Sequence, residues 1–502
     1  MEIKHWSEKI VEEVEARGRP FVVSSAITTS GSTHLGTLCE FLYPSAVYKG
    51  LLEKGHEATF YFQGDILDAF DKIPGNLKEH EALLKPHLGK PLSDVPDPFG
   101  CCKSYGEHFL NEAIKIMHGL DVHPTILRAN EQYAKGLFDE HARFYLKNQA
   151  QAKEILERTS FRKVPADWSP LMVICAKCGK IATTRVTKVH GDEIEYTCDK
   201  DLEYTKGCAY AGKTTIGEHR YKLVWRLDWP AKQEILKVSV EGGGKDHFTR
   251  GGSRDSLEAI YREMFKKEPP VGFRFGFIMI AGQKYSKSKG IGLGVKEIME
   301  LVSPDLLKYI LFKPPVEKDK DMVPTGDFIL KAYDELFRTA HLVPASEADQ
   351  KRAIAYKLAG GKEHKTSISD IILYYQLYKD WAIVKEKTGD AETVDYIKKY
   401  VENWLKEDMV PPNLKFTYNP QKIERMNEPI LKFAQELKEG MSGQEIHDAA
   451  YKTIKENSLK ADEFFKAIYE TLIGKESGPK LGALVHAIGS SKVKAALLGL
   501  YA

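Results

Sequence analysis

The order of apolar and polar residues near the start of the chain predicts a βαβ unit. Apolar residues at helical spacing predict a helix over 5–17, and the apolar run FVVSSAI that follows Pro20 predicts a buried strand. A second helix is predicted from about His34 to Glu53, and EATFYFQGD predicts a second strand. The turn between the first strand and the second helix, TTSGSTHLGT, should therefore lie at the ligand-binding edge of a parallel sheet.

The pattern changes in the second half of the chain. Beyond Lys289, and through most of 328–502, apolar residues keep helical spacing with few strand signals. The chain has 502 residues, more than one hydrophobic core usually covers, so roughly two to four domains are expected. The pattern thus predicts an α/β part followed by an all-α part.

Composition narrows the class of protein. Hydrophobic residues make up 42% and charged residues 29%, with a net charge of +2, which argues against disorder and against a uniformly basic surface. A nucleic-acid partner would need local basic patches. No apolar stretch is long enough to span a bilayer, and the start is a charged amphipathic helix, unlike a signal peptide. A cytoplasmic protein without a membrane partner is expected.

The turn TTSGSTHLGT carries residues suited to phosphate binding. Gly31 and Gly36 allow the backbone to approach a phosphate closely, and the following helix N-terminus supplies N–H donors. His34 adds a directional donor. The same stretch also fits a glycine-rich turn with a surface histidine, so a second feature must decide.

That second feature is GQKYSKSKG, residues 282–290, which follows the strand-like run FGFIMIAG. Paired with the earlier turn, it resembles the HIGH and KMSKS signatures of class I aminoacyl-tRNA synthetases. The two signatures stand here as HLGT from His34 and KYSKS from Lys284, so the last His of the first and the Met of the second are replaced.

Other stretches narrow the resemblance to class I lysyl-tRNA synthetases of the archaeal type. VPDPFGCCKSYGEHF, RLDWP, GGKDHF and LIGKESGPKLGALV all look like that family, in the family's order. Two positions depart from it, because Ala26 stands where Gly is usual and Phe275 falls near a usual Tyr. These two departures affect the fine shape and hydrogen bonding of the substrate pocket.

The resemblance implies ATP-dependent activation of lysine and its transfer to tRNA(Lys), with Mg²⁺ accompanying ATP. It assigns catalytic roles to His34, Lys284 and Lys287, which would stabilise the anionic transition state at the phosphates. The ATP-binding residues would be Gly31, Gly36, Asp246, Ser286 and Ser288. Asp246, placed to hold the ribose, could instead be a helix N-cap.

The lysine pocket is implied in the same way. Thr28, Trp225 and His247 match pocket positions, and a carboxylate from Asp65 or Asp68 would pair with the substrate ammonium. Trp225 and Trp229 could equally be core aromatics.

Two groups of residues suggest zinc. Cys175, Cys178, Cys198 and Cys208 offer four thiols, which predict a structural zinc site, although His190 or Asp201 could supply the fourth ligand. The second group comprises Asp97, Cys101, Cys102 and His108, where family members carry an Asp/Cys/His zinc site. A buried thiol pair beside a helix-face histidine is the alternative for this group.

The expected fold class is α/β, with a Rossmann-type class I synthetase catalytic domain, a zinc-binding insertion and an all-α C-terminal anticodon-binding domain. The expected division is a first Rossmann half in 1–90, the insertion in 91–224, a second half with the KMSKS-like loop in 225–292, a helical linker in 293–327 and the anticodon-binding domain in 328–502. Two alternatives stay open, a glutamyl-type synthetase and a paralogue that binds RNA without charging it.

Overall fold

The computed structural model describes residues 4–280, 283–284, 294–322 and 325–501. The chain forms two compact units. The first comprises Met1–Ile298, Lys308–Met322 and Ala345–Ala359. The second comprises Met299–Leu307, Val323–Pro344 and Gly360–Ala502.

The strands are short and, in the described residues, all precede residue 322. They are β1 Phe21–Ile27, β2 Ala58–Gly64, β3 Thr125–Arg128, β4 Leu171–Val173, β5 Arg185–His190, β6 Glu193–Thr197, β7 Asp201–Leu202, β8 Thr205–Lys206, β9 Ala211–Thr215, β10 Tyr221–Leu223, β11 Val240–Gly244, β12 Val271–Phe275, β13 Ile278–Ile280, β14 Gln283–Lys284 and β15 Lys320–Asp321.

The helices run along the whole chain. They are α1 Trp6–Arg17, α2 Leu35–Glu53, α3 Glu81–Leu84, α4 Tyr105–Gly119, α5 Ala129–Ala134, α6 Asp139–Lys147, α7 Gln149–Ser160, α8 Trp225–Leu236, α9 Ser253–Ile260, α10 Val295–Leu301, α11 Pro304–Phe312, α12 Gly326–Ala340, α13 Glu347–Ala359, α14 Ile368–Tyr378, α15 Trp381–Thr388, α16 Ala391–Lys406, α17 Asn427–Glu436, α18 Gly443–Glu456, α19 Ala461–Ile473, α20 Leu481–Ile488 and α21 Ser490–Tyr501.

A five-stranded parallel sheet forms the centre of the first unit. Its strand order is β12-β11-β1-β2-β3, and every neighbouring pair is parallel. The predicted βαβ unit is confirmed, because β1 and β2 pair along their full lengths and α2 connects them. The sequence pattern predicts β1 correctly because a strand in a parallel sheet is buried on both faces, which favours a continuous apolar run such as FVV at its start. The carboxyl ends of β1, β2 and β11 consequently lie side by side.

The insertion between β3 and α8 folds around small antiparallel sheets. β5, β6 and β9 form a three-stranded sheet, β4 pairs with β10, and β7 pairs with β8. Ile194 and Tyr196 of β6 are buried together with Cys175 and Cys198, so the cysteines belong to the core of this insertion.

The second unit is helical in the residues described, as the spacing predicts. Helices α17 to α21 pack around an apolar core that includes Phe433, Ile446, Phe464 and Leu484. Among the described residues, no single helix has the length and apolarity needed to cross a membrane, although α20 and α21 together pass that test as a pair bent by 96°.

Candidate active site and metal-binding clusters

His34 occupies the N-cap position of α2 at the carboxyl edge of the sheet. Its backbone is extended, and its Nδ1 accepts a hydrogen bond from the N–H of Thr37 at 3.3 Å. A neutral imidazole that accepts at Nδ1 carries its proton on Nε2, which makes Nε2 a donor. Gly36 leaves room for this ring, since a Cβ there would lie 3.1 Å from two of its atoms. The turn therefore presents a directional N–H beside the first free N–H groups of a helix.

Asp246 lies in the loop that follows β11, the neighbour of β1 in the sheet. Its side chain is exposed. The next helix, α9, begins at Ser253 and is capped by Gly252, so the alternative that Asp246 is a helix N-cap is wrong. A carboxylate that is exposed at the carboxyl edge, with no capping function, is available to a ligand.

Glu40 is a carboxylate at this edge that the sequence analysis missed. It lies on α2, and burial, with the charges of Glu241 and Asp246, raises its pKa to about 8. A neutral acid beside Asp246 can donate a hydrogen bond at neutral pH. Its acidic side chain between the apolar residues Cys39 and Phe41 was the available signal.

The two tryptophans of α8 differ in their surroundings. Trp229 is buried in the core, with 3% of its surface exposed, whereas Trp225 is 39% exposed. Their rings stack with centroids 5.3 Å apart, and the ring of His247 lies 6.2 Å from that of Trp225. Nδ1 of His247 is 2.8 Å from the hydroxyl of Ser253. The core-aromatic alternative is thus right for Trp229 and wrong for Trp225, which presents an aromatic face next to His247.

Asp65 and Asp68, which follow β2, share one partner that the sequence analysis missed. Nζ of the fully buried Lys222 donates to Asp65 Oδ2 at 2.6 Å and also to Asp68. Asp65 is buried, while Asp68 is half-buried and accepts a hydrogen bond from the hydroxyl of Thr28 at 2.7 Å. Of the two predicted substrate carboxylates, Asp68 thus contacts Thr28, and both already hold an internal ammonium group.

The charges around Lys222 do not balance. Asp228, also buried, accepts a hydrogen bond from the hydroxyl of Tyr133 at 2.5 Å and adds a third carboxyl group near this ammonium. Burial disfavours the charged form of Lys222, but the attraction of Asp65, Asp68 and Asp228 outweighs burial and raises its pKa. Burial and the charge of Asp68 raise the pKa of Asp65 to about 7. The cluster has more acids than cations, so an additional ammonium group would be stabilised there.

The four thiols of the insertion come together. A ligand atom from each of Cys175, Cys178, Cys198 and Cys208 lies within 4.8 Å of all the others. The sulfur atoms of Cys175 and Cys208 are 3.7 Å apart, as are those of Cys178 and Cys198. His190 lies in β5 and Asp201 in β7, and neither joins this group. Four clustered thiols are the donor set of a closed structural zinc site.

The second group also comes together, near the start of α4. Nδ1 of His108 lies 3.2 Å from the sulfur of Cys101 and 3.2 Å from Asp97 Oδ1. Cys101 is exposed and Cys102 partly exposed, so the alternative of a buried thiol pair is wrong. Burial favours protonated Asp97, but backbone N–H donors from Phe99 and Cys102 hold the pKa of its carboxyl below the usual value. An ionised carboxylate, two thiols and an imidazole form a donor set that fits zinc.

The remaining predicted residues are those of the KYSKS stretch. Lys284 ends β14, which pairs antiparallel with β13, and it stands opposite Met279. Ser286, Lys287 and Ser288 lie outside the described residues. Gly31, also predicted to bind phosphate, lies in the turn just before His34.

Comparison with known proteins identifies the family. A family model described as tRNA synthetases class I (K) matches residues 4–362. The lysine–tRNA ligase of Archaeoglobus fulgidus is 30% identical, over 98% of this chain and 100% of the relative. Those of Methanosarcina barkeri and Methanocaldococcus jannaschii are each 32% identical, over 95% and 97% of this chain and 94% and 98% of the relatives. The chain therefore belongs to the class I tRNA synthetases of the K type, which confirms the resemblance to class I lysyl-tRNA synthetases that its sequence stretches carry.

Proposed function

We propose that this chain activates lysine with ATP, forming lysyl-adenylate and pyrophosphate, and transfers the lysyl group to the terminal adenosine of tRNA(Lys). The observation that carries the proposal is the arrangement at the carboxyl edge of the parallel sheet. Thr28 and His34 follow β1, Asp65 and Asp68 follow β2, and Asp246 follows β11. The ends of three neighbouring strands thus carry the turn that would bind the phosphates, the acidic residues that would bind the lysine ammonium and the carboxylate that would hold the ribose.

The activation step needs charge stabilisation rather than a protein nucleophile. The lysine carboxylate attacks the α-phosphorus of ATP, and pyrophosphate leaves with the electrons of the broken P–O bond. Preorganised donors usually supply the largest part of such stabilisation. His34 Nε2–H and the free N–H groups at the start of α2 would bind the phosphates, and Lys284 and Lys287 would neutralise the leaving pyrophosphate. Ser286 and Ser288 would assist them, and Mg²⁺ would accompany ATP.

Lysine specificity would come from the acidic cluster. The substrate ammonium would approach Asp68 and Thr28, with the faces of Trp225 and His247 covering its alkyl chain. The excess of carboxyl groups over Lys222 supports a cationic substrate. A glutamyl-type enzyme would need an uncompensated cation in this place, and Lys222 is compensated by two direct contacts to carboxylates.

The other parts of the chain would support this reaction. Zinc would be held by Cys175, Cys178, Cys198 and Cys208, and a second ion by Asp97, Cys101, Cys102 and His108. Zinc supplies folding free energy to a small insertion by fixing ligands that are distant in sequence. The helical region 328–502 would read the anticodon, and charging would take place in the cytoplasm.

Amino-acid-dependent exchange of pyrophosphate into ATP, measured across the standard amino acids, tests the proposal. Exchange with lysine alone is expected, and exchange with glutamate would favour the glutamyl-type alternative. Asp68→Asn should raise the KM for lysine, whereas Asp71→Asn, an exposed position in the same loop, serves as the matched control. Normal tRNA binding without aminoacylation would instead support the non-charging paralogue.

A further inference from the structure

The loop that carries His34 is fastened to α4 on one side. The hydroxyl of Tyr105 donates to the carbonyl of Ser30 at 2.9 Å. The hydroxyl of Thr29 donates to the carbonyl of Gly106 at 3.0 Å. Both hydrogen bonds join the first turn of α4 to the part of the loop that precedes His34, so this helix holds the loop in position.

Glu112 makes a third contact, closer to the imidazole. Its Oε1 accepts a hydrogen bond from the backbone N–H of Thr33 at 2.7 Å. Thr33 directly precedes His34, so this bond fixes the Ser32–Thr33 peptide, one residue before the one that carries the imidazole. A carboxylate acceptor makes the bond stronger than one between neutral groups. Only 12% of the Glu112 side chain is exposed, which limits replacement of the bond by water.

The other carboxylate oxygen of Glu112 has a partner from a distant part of the chain. Oε2 accepts a hydrogen bond from Nζ of Lys296 at 3.0 Å. Lys296 is the second residue of α10, which begins shortly after the KYSKS stretch ends at Ser288. An ion pair with so exposed a lysine contributes little stability by itself, but it restrains the rotation of the carboxylate.

We propose that Glu112 is a positioning residue for amino-acid activation. It holds the backbone of Thr33, and through it the orientation of His34, while Lys296 keeps the carboxylate in place. The inference rests on the proposed function and adds to it a residue that lies about 80 positions from the signature whose geometry it controls. Glu112 acts through His34 and carries out no chemistry itself.

Lysine-dependent pyrophosphate exchange by three variants tests this inference. Glu112→Ala should lower kcat by about 10²-fold, the scale of a 1 Å misplacement, with little change in the KM for lysine. Glu112→Gln should recover most of the rate, because its amide oxygen can still accept from Thr33. Lys296→Met should cost less than Glu112→Ala. Lys49→Met is the matched control, since it removes a lysine that pairs at 3.3 Å with Asp121, just beyond the end of α4.

A double-mutant cycle separates positioning from general stability. If Glu112 acts through His34, Glu112→Ala should cost little further rate in a His34→Ala background. Additive losses of rate in the double variant would overturn the inference, and so would a Glu112→Gln rate as low as that of Glu112→Ala. If the alanine variant does not fold, Glu112→Gln takes its place in the same cycle. Normal exchange by both wild type and Glu112→Ala rejects this inference alone. No exchange by the wild type with any amino acid rejects the proposed function as well.

Discussion

Replacing Lys222 by methionine should destabilise the first unit strongly and in a pH-dependent way. Methionine keeps most of the side-chain volume but removes the ammonium group, which is the direct partner of Asp65 and Asp68. Lys222 is completely buried and Asp65 nearly so, so water cannot easily replace the lost contacts. The variant thus leaves a group of carboxyl groups without their cation.

The size of the effect follows from the burial. Removing one partner of a buried ion pair costs about 3–5 kcal/mol, because the other charge stays buried and uncompensated. Asp65 already has a pKa raised to about 7 by burial and by Asp68, and losing Lys222 raises it further. An acid whose pKa is raised on folding loses stability as the pH rises towards that pKa. The difference between wild type and Lys222→Met should therefore be largest above pH 7 and should shrink towards pH 5, where Asp65 is protonated.

Thermal unfolding between pH 5 and pH 8 measures this difference. Lys232→Met is the matched control, because Lys232 is equally buried and pairs with Glu241 at 2.9 Å. Glu241 keeps hydrogen bonds from Trp229 Nε1 and Gln233 Nε2 when that lysine is lost, so the control should cost less. Adding Asp65→Asn to Lys222→Met should restore part of the stability at pH 8. A loss that is independent of pH, or one that Asp65→Asn deepens at pH 8, would refute the electrostatic reasoning.

Three further predictions concern activity and metal. The lysine ammonium favours the ionised form of Asp65, whose pKa burial and Asp68 raise to about 7, so the KM for lysine should rise as the pH falls below 7. An equally steep rise of this KM in the Asp65→Asn variant would contradict the prediction. His34→Ala and Lys287→Ala should each lower the rate of adenylate formation by about 10²-fold, with a smaller effect on lysine binding; unchanged exchange rates would argue against both roles. Cys175→Ser combined with Cys178→Ser should release one zinc ion per chain and loosen the insertion while the parallel sheet stays folded. Elemental analysis measures the zinc, and limited proteolysis measures the loosening. A wild-type protein that contains no zinc would exclude this site.

The sequence predicts the central part of the fold well, because local pattern and tertiary environment agree there. The run that becomes β1 is apolar enough to be buried on both faces of a parallel sheet, and the turn after it contains glycines and a capping histidine. The cysteine group was also predictable, since thiols that bind one metal ion must converge whatever the loops between them do. Both predictions use residues whose chemistry leaves few alternatives.

The contacts that were missed join residues far apart in the chain. Lys222 follows Asp65 by 157 positions, and its neighbours Tyr221 and Leu223 are apolar residues of a short strand that pairs with β4. A lysine in such a strand is expected to point to solvent, because a buried lysine is costly without a partner. Only the folded chain shows that Asp65 and Asp68 contact its ammonium group and that Asp228 lies near it, so no local pattern could indicate this cluster.

Lys222 would itself prepare the proposed lysine pocket to accept a cationic substrate. If Lys222 were absent, burial and repulsion by the charge of Asp68 would raise the pKa of Asp65 further, and the pocket would lose charge that attracts an ammonium group. Lys222 offsets part of that repulsion and so keeps negative charge in place at neutral pH. Asp68 is half-exposed and accepts a hydrogen bond from Thr28, so its carboxylate would lie on the side from which the substrate enters. Cation selectivity in the proposed pocket would therefore depend on Lys222. An isosteric neutral residue at position 222 should weaken lysine binding even in conditions under which the protein stays folded.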